Sequence, residues 1–265
     1  MKKLIYVLLA SCMACSSSDD ITESINNNEN NGSTFSIDFL YNETAQVDET
    51  LEVTITSNEP MKSLEISFDN FETSFTSFSD LGSSILRYFS FDKLGANTVY
   101  FKAKNGDDAE SIKTINVTIS RGNAVKLQSL KLNSFYNMGN IWDDEYGPTD
   151  PNRLADVFFW LLKPKIDVID GTIAGIGSWY RADTRDNESN LIWNFQDEAL
   201  YVNLDILTAY IAFADDDGGG VAQDLMLGPP LERVIPLTEY LNTKPNTILV
   251  QETDINLEYE LTLDW

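Results

Sequence analysis

Short runs in which apolar and polar residues alternate occupy most of the chain from residue 35 onward. In TLEVTITS, for example, Leu51, Val53 and Ile55 fall on one face, and TVYFKAK repeats the pattern. A period of two residues is typical of strands with one buried face. Turn-forming sequences such as NEP, LGAN and NGDD separate the runs. The pattern therefore predicts about seven short strands in residues 35–121, arranged as an antiparallel β-sandwich.

Residues 122–265 predict a second β-domain. The runs ADVFFWLL, ALYVNL, LTAYIAFA and YELTLDW are rich in β-branched and aromatic residues, and all five tryptophans of the chain lie in this part. Such large side chains can fill the core of a sandwich. Helical periodicity is absent except for a single turn predicted at LTEYL. We expect an all-β protein with two antiparallel β-sandwich domains.

The first 34 residues differ from the rest of the chain. Two lysines are followed by an apolar run at residues 4–10, which is too short to span a bilayer and indicates an export signal. From Ser16 to Thr34 the chain is polar and rich in asparagine, so it cannot bury enough surface to fold. We therefore expect a signal peptide in residues 1–14 and a disordered tether in residues 15–34.

The sequence LLASCMACSSSDD resembles lipoprotein signals of the Bacteroidetes, in which a cysteine becomes the lipidated N-terminus. Cys15 is the favoured site, because SSSDD follows it directly, although Cys12 after LAS also matches. The resemblance implies a lipid anchor in the outer membrane and exposure at the cell surface. The end of the first sandwich, with its turn at Gly95 and its NG turn, resembles the Ig-like spacer domains of bacterial surface proteins.

The charge and composition of the chain limit which partners, metal ions and reactions are possible. With 42 acidic and 18 basic residues the net charge is -24, which argues against nucleic acid as a partner. Histidine is absent, so the common general base and histidine-ligated metal sites are excluded. Both cysteines precede residue 16. The remaining oxygen ligands favour hard cations such as calcium, and we expect no enzymatic activity. A hydrolase using paired carboxylates is the enzymatic alternative.

Acidic residues collect at strand ends in the second domain. One group precedes ADVFFWLL, and the other follows AYIAFA in the stretch FADDDGGGVAQDLMLG. Alternate residues of an extended segment point the same way, so Asp215 and Asp217 can face one ion while Asp216 points away. Without a cation, converging carboxylates repel one another and take up protons. The alternative is a solvated hairpin tip, for which aspartate and glycine are common.

This arrangement resembles a C2 domain, a calcium-binding β-sandwich that collects aspartates from two loops at one end. The resemblance implies a C2-like domain over residues 122–265 and Ca²⁺ as the bound ion. It implies these ligands: Asp143, Asp156, Asp215, Asp217 and Asp224. Loop lengths differ from the family pattern, so Asp144, Asp150 and Asp216 compete for places in the set.

Trp179, Tyr180 and Trp193 form a further candidate ligand-binding set. Exposed aromatic rings beside polar residues hold sugars in surface proteins, whereas buried rings only fill the core. The sequence therefore supports two binding functions. One is calcium-dependent binding or adhesion at the cell surface, with another surface protein as a partner, and the other is glycan binding with calcium in a structural role.

Overall fold

Strands with alternating burial make up most of the computed structural model, which describes residues 34–73 and 75–265. In β3 (Leu51–Ser57), Leu51, Val53 and Ile55 are buried and the residues between them are not. Successive side chains of a strand point to opposite faces, so one face of each sheet covers a core. The expected fold class, all-β with antiparallel sandwiches, is confirmed. The predicted signal peptide and tether, with Cys12 and Cys15, lie outside the described residues.

The first sandwich pairs a three-stranded sheet with a five-stranded sheet. The smaller sheet has the order β1-β3-β6 and consists of β1 (Ile37–Tyr41), β3 and β6 (Ser84–Phe89). The larger sheet has the order β2-β8-β7-β4-β5, with the bounds β2 (Thr44–Gln46), β4 (Met61–Ser67), β5 (Thr76–Ser79), β7 (Gly95–Asn105) and β8 (Glu110–Ser120). Every pair is antiparallel except β2 with β8. This is an Ig-like arrangement.

The second sandwich contains two five-stranded sheets. One sheet has the order β12-β9-β18-β17, with β13 also paired to β9, and its strands are β9 (Val125–Ser134), β12 (Ile192–Asn194), β13 (Tyr201–Val202), β17 (Thr247–Glu252) and β18 (Leu257–Asp264). The other has the order β11-β10-β14-β15, with β16 also paired to β14, and its strands are β10 (Val157–Ile166), β11 (Ile173–Arg181), β14 (Tyr210–Asp216), β15 (Ala222–Asp224) and β16 (Arg233–Val234).

Short 3-10 helices connect some of these strands, with the bounds Pro151–Arg153, Asp186–Glu188, Leu237–Tyr240 and Thr253–Ile255. The third of them contains the helical turn expected at LTEYL. Among the described residues, no helix has the length and apolar character that crossing a membrane requires.

Aromatic side chains fill the core between the two sheets of the second sandwich. Phe159 is fully buried, and its ring centroid lies 5.1 Å from that of Trp193 and 5.9 Å from that of Phe213. Phe213 in turn contacts Tyr259 of β18, with ring centroids 5.4 Å apart. Because Phe159 belongs to β10 and Phe213 to β14, this core holds the ends of those two strands in fixed positions.

A buried polar contact joins the two sandwiches. Asp48 lies in the turn after β2, is only 1% exposed and has a φ of 63°. Its Oδ1 accepts a hydrogen bond from Lys163 Nζ of β10 at 2.6 Å, and its Oδ2 accepts one from the backbone N–H of Asn203 at 2.9 Å. The Asn203 side chain returns a hydrogen bond to the carbonyl of Val47 at 3.2 Å. The carboxylate of Asp48 therefore fixes how the first sandwich meets β10.

Replacing Asp48 tests this contact. In Asp48→Ala, Lys163 stays largely buried and keeps only Asp92 as an acidic partner, at 3.5 Å. Losing one member of a buried pair is costly, so we expect the free energy of unfolding to fall by about 3 kcal/mol in urea titrations. Asp38→Ala, which removes an exposed pair with Lys113, should lower it by less than about 1 kcal/mol. Equal losses in the two variants would contradict a special role for Asp48.

Candidate functional site

The pairing of β10 with β14 brings two predicted ligands together. Asp156 directly precedes β10, Asp215 lies near the end of β14, and Val157 is paired with Asp215 in the sheet. The backbone N–H of Asp156 donates to Asp215 Oδ1 at 2.6 Å, and the N–H of Asp216 donates to the Asp156 carbonyl at 2.9 Å. Strand pairing therefore places both carboxyl groups at one end of this sheet.

Asp143 and Asp217 join them from two loops. The backbone N–H groups of Trp142 and Asp143 donate to the carbonyl of Arg153, at 2.8 and 3.3 Å, which folds this loop back towards β10. Asp143, Asp156 and Asp217 line one surface depression, whose other lining residues are Glu145, Tyr146, Asn152, Asn187, Asp216 and Gly218. Burial, followed by the negative charges of Asp156, Glu145 and Asp217, raises the pKa of Asp143. We call Asp143, Asp156, Asp215 and Asp217 the acidic cluster.

Asp215 is the most constrained member of the acidic cluster. Its side chain is 1% exposed, and burial raises its pKa to about 6, with further contributions from the charges of Asp217, Asp143 and Asp156. Oδ2 of Asp215 is buried and has no hydrogen-bond partner. An unpaired buried acceptor of this kind costs about 1–3 kcal/mol, more when it carries charge. The folded chain therefore leaves a negative oxygen here without compensation.

Asn187 was not identified from the sequence, although it also belongs to this site. Its Oδ1 is buried without a hydrogen-bond partner, and its backbone N–H donates to Asp156 Oδ1 at 2.7 Å. The residue has a φ of 56°, a left-handed conformation that asparagine adopts more readily than most residues. The only sequence signal is an asparagine in a polar loop, and only the bridge between Val157 and Arg185 brings that loop beside β10.

Asp224, the fifth expected ligand, is paired with Ala214 between β14 and β15, beside Asp215, and does not line the depression. Its Oδ1 accepts a hydrogen bond from the N–H of Met226 at 3.0 Å, and its Oδ2 accepts one from the N–H of Gly228. Gly228 has a φ of 84°, and both carboxylate oxygens are used to hold this turn. Asp224 therefore stabilises its own turn in the structure, and its place in the ligand set stays a prediction.

The competing aspartates also have other positions. Asp150 Oδ1 caps the first 3-10 helix by accepting from the N–H of Asn152 at 2.9 Å, and Asp144 is exposed and does not line the depression. Asp216 lies at the edge of the depression and accepts hydrogen bonds from Arg181 and Thr184, each at 2.9 Å. These bonds, with that from Thr184 the strongest, lower the pKa of Asp216. Asp216 therefore already has a cationic partner.

The acidic cluster is loosely arranged. In the part of the chain that the structure describes, no three acidic side chains converge tightly enough to enclose a metal ion as they stand. Asp217 is exposed and Asp143 is half-buried, and both lie on loops; Asp217 Oδ1 accepts a hydrogen bond from Gln223 Nε2 at 3.1 Å. Gly218, directly after Asp217, has a φ of 74°, which lets the chain turn tightly there. Among the described residues, the acidic cluster is therefore a set of neighbouring carboxyl groups and not an enclosed metal site.

The three candidate aromatic residues have different surroundings. Trp193 is 2% exposed, and its Nε1 donates to the Asp183 carbonyl at 2.7 Å, so the expectation of an exposed contact residue is corrected to a core residue. Tyr180 is half-buried, with its ring 5.6 Å from that of Phe195. Trp179 alone of the three lines a cavity, which lies between the two sandwiches.

Comparisons with known proteins do not assign the chain to a family. No protein-family model and no curated protein sequence matches the chain. The PKD domain of a peptidase from a Thermoplasmatales archaeon aligns at 18% identity over 33% of this chain and 96% of its own, with a TM-score of 0.28. The human OSCAR ligand-binding domain aligns at 9% identity over 76% of this chain and 97% of its own, with a TM-score of 0.27.

The sulfur carrier protein SoxY from Chlorobium limicola is similar at 15% identity over 32% of this chain and 78% of its own, with a TM-score of 0.26. TM-scores this low support no conclusion about activity or ligand. The likeness to C2 domains and to lipoproteins therefore stays a prediction.

The raised pKa of Asp215 predicts a pH dependence for the metal-free protein. Folding raises this pKa from 3.8 to about 6, so the folded chain holds an extra proton between these values and loses stability as the pH rises through them. Asp215→Asn has no titrating group at this position. We expect the melting temperature of Asp215→Asn, minus that of the wild type, to increase between about pH 4 and pH 7 in resin-treated protein. A constant difference would contradict this assignment.

Proposed function

We propose that this protein is a non-catalytic cell-surface module for binding or adhesion, whose second sandwich binds calcium at the acidic cluster. The observation that carries the proposal is the buried, unpartnered Oδ2 of Asp215 beside Asp143, Asp156 and Asp217. A cation would compensate this charge, and protonation is the alternative in its absence. The side-chain carbonyl oxygen of Asn187, which is buried without a hydrogen-bond partner, would supply a neutral ligand from the lining of the depression.

The chemistry of these donors favours calcium over other metals. All of them are oxygen atoms, from carboxylates and one side-chain amide, and calcium takes six to eight such ligands at about 2.3–2.6 Å with flexible geometry. Magnesium requires a nearly ideal octahedron and is less tolerant of loosely placed ligands. Zinc and copper favour imidazole or thiolate, and the chain has no histidine and no cysteine after residue 15.

Thermal unfolding with and without calcium tests the proposal. Extracellular calcium modules bind with dissociation constants near 10⁻⁴ M, so 1 mM calcium should stabilise the protein by about 1.4 kcal/mol and raise its melting temperature by roughly 3–5 °C. Magnesium at the same concentration should have a smaller effect. Asp215→Asn should remove the calcium effect, because it deletes the buried charge. A wild-type melting temperature unchanged by calcium, with no heat of binding in calorimetry, would refute the proposal.

Matched variants locate the ligands within the same experiment. Asn187→Gly removes the side-chain carbonyl but keeps a residue that tolerates positive φ, and we expect calcium affinity to fall about tenfold. Asn190→Gly is the control, since Asn190 also has positive φ, at 47°, and is exposed.

Asp224→Asn should keep the calcium affinity and lose stability by about 1–2 kcal/mol, because one backbone N–H loses its acceptor. Loss of calcium binding in Asp224→Asn alone would restore the ligand set implied by C2 domains.

Anchoring in the outer membrane through a lipid on Cys15 completes this proposal. Support comes from the sequence, in which a short apolar run ends at LLASCMAC and a polar segment follows. In cells that process lipoproteins, Cys15→Ser should abolish incorporation of an alkyne-labelled fatty acid, and Cys12→Ser should retain it. The reverse result would move the anchor to Cys12. A wild-type protein without label would exclude a lipid anchor.

Glycan binding is the second candidate function. The observation that favours it is the position of Trp179 in the wall of a cavity, although Trp193 is buried and Tyr180 packs on the core. In that case calcium would have a structural role in the second sandwich, where it would stabilise the loops around the acidic cluster.

A further inference from the structure

A cavity of about 370 Å³ lies between the two sandwiches and is separate from the acidic cluster. We call it the inter-sandwich cavity. The first sandwich contributes Phe68, Phe89, Phe91 and Asp92 among others, and the second contributes Trp179 with residues of β10 and β11. Its volume is in the lower part of the range for small-molecule sites, about 300–1,000 Å³, and fits a ligand the size of one or two sugar rings.

Aromatic rings form much of the wall of the inter-sandwich cavity. Phe89 and Phe91 are buried, whereas Phe68 is 61% exposed and meets them edge-on, with ring centroids 6.0 and 6.1 Å away. Trp179 forms part of the facing wall. Exposing a large phenylalanine beside a cavity has a hydrophobic cost that contact with a ligand would remove. Phe68 is therefore placed to contact whatever enters.

The charged groups of the inter-sandwich cavity balance one another. Asp48 and Asp92 carry negative charge, and Lys163 and Lys165 carry positive charge. The ammonium of Lys163 lies 2.6 Å from Asp48, 3.5 Å from Asp92 and 4.5 Å from the Trp179 ring centroid, so its donors are already engaged. A lining without net charge favours a neutral ligand, and the acidic surface of the whole chain disfavours an anion.

Polar groups beside the rings distinguish a sugar from an acyl chain. The Asp92 side chain is 42% exposed and can accept hydrogen bonds from ligand hydroxyl groups, and the hydroxyl-bearing residues Thr76, Ser90 and Ser178 also line the cavity. An acyl chain would cover these groups without offering them a hydrogen bond, which is unfavourable. A saccharide offers an apolar C–H face to the rings and hydroxyls to the polar groups.

We propose that the inter-sandwich cavity binds a neutral saccharide unit, with Phe68 contacting a ring face, Trp179 forming part of the opposite wall and Asp92 accepting hydrogen bonds from hydroxyl groups. The inference rests on the second proposed function, glycan binding, and moves its site from the surface of one domain to the junction of two. Asp48 holds the two walls together through Lys163 and Asn203, so the site is largely formed before a ligand arrives.

An array of neutral and acidic oligosaccharides, probed with the calcium-loaded protein of residues 35–265, tests the proposal. Residues 35–265 form one compact unit, so this part of the chain suits the experiment. We expect binding to neutral oligosaccharides, and in calorimetry with the strongest of them Phe68→Ala should lower the affinity at least about tenfold. Phe75→Ala is the matched control, because Phe75 is also exposed, at 53%, but does not line the cavity. Each variant loses edge contacts between aromatic rings, so both should stay folded, with melting temperatures a few degrees below that of the wild type.

The results of these measurements distinguish a wrong location of the binding site from an absence of glycan binding. Equal affinities of wild type, Phe68→Ala and Phe75→Ala for a neutral oligosaccharide would overturn the cavity as the site and leave glycan binding standing. Binding to acidic oligosaccharides alone would overturn the neutral ligand class in the same way. An array without signal for the wild type would overturn glycan binding and the cavity proposal together, whereas the calcium proposal would be unaffected.

Discussion

The antiparallel pairing of β10 with β14 is the constraint on which the candidate cation site depends. The same register that places Phe159 opposite Phe213 in the core places Val157 opposite Asp215 at the end of the sheet. Asp156 and Asp215, 59 positions apart in the chain, are thereby joined by a hydrogen bond. Separating these two carboxyl groups would require breaking the strand pair and its aromatic core. The folding energy of the second sandwich therefore maintains a local repulsion that the acidic residues alone would avoid.

This repulsion connects the stability of the sandwich with its proposed ligand. Burial of Asp215 raises its pKa to about 6, which means that at neutral pH the carboxylate is charged in surroundings that disfavour charge. A proton and a cation are alternative ways to compensate that charge, and they act in different pH ranges. With a chain charge of -24, a bound divalent ion also reduces the repulsion across the whole molecule. If the acidic cluster binds calcium as proposed, the same electrostatic cause couples ion binding to folding.

The contact between the two sandwiches combines apolar packing of Val168 and Tyr201 with buried hydrogen bonds, and it creates the second candidate site. Asp48 accepts hydrogen bonds from Lys163 and Asn203, while the N–H of Tyr88 donates to the carbonyl of Val168 at 3.0 Å. These bonds have directional requirements, so they fix an orientation that apolar contact alone would leave adjustable. The inter-sandwich cavity has aromatic walls from both sandwiches because this orientation leaves a gap beside the polar contact. Neither sandwich by itself contains the complete set of lining residues.

Alternation of apolar and polar residues was sufficient to predict the all-β fold, because strand side chains point to opposite faces whatever the partner strand is. The acidic residues could be assigned to strand ends for the same reason. Which residues surround each acidic side chain could not be predicted, because these neighbours depend on strand register and loop path. Asp224 therefore proved to cap its own turn, Trp193 proved to be buried, and Asn187 entered the site without a sequence signal. The sequence by itself determined the strands and the supply of oxygen ligands, and the tertiary structure decided which of those oxygens meet, because long-range strand pairing sets the distances between them.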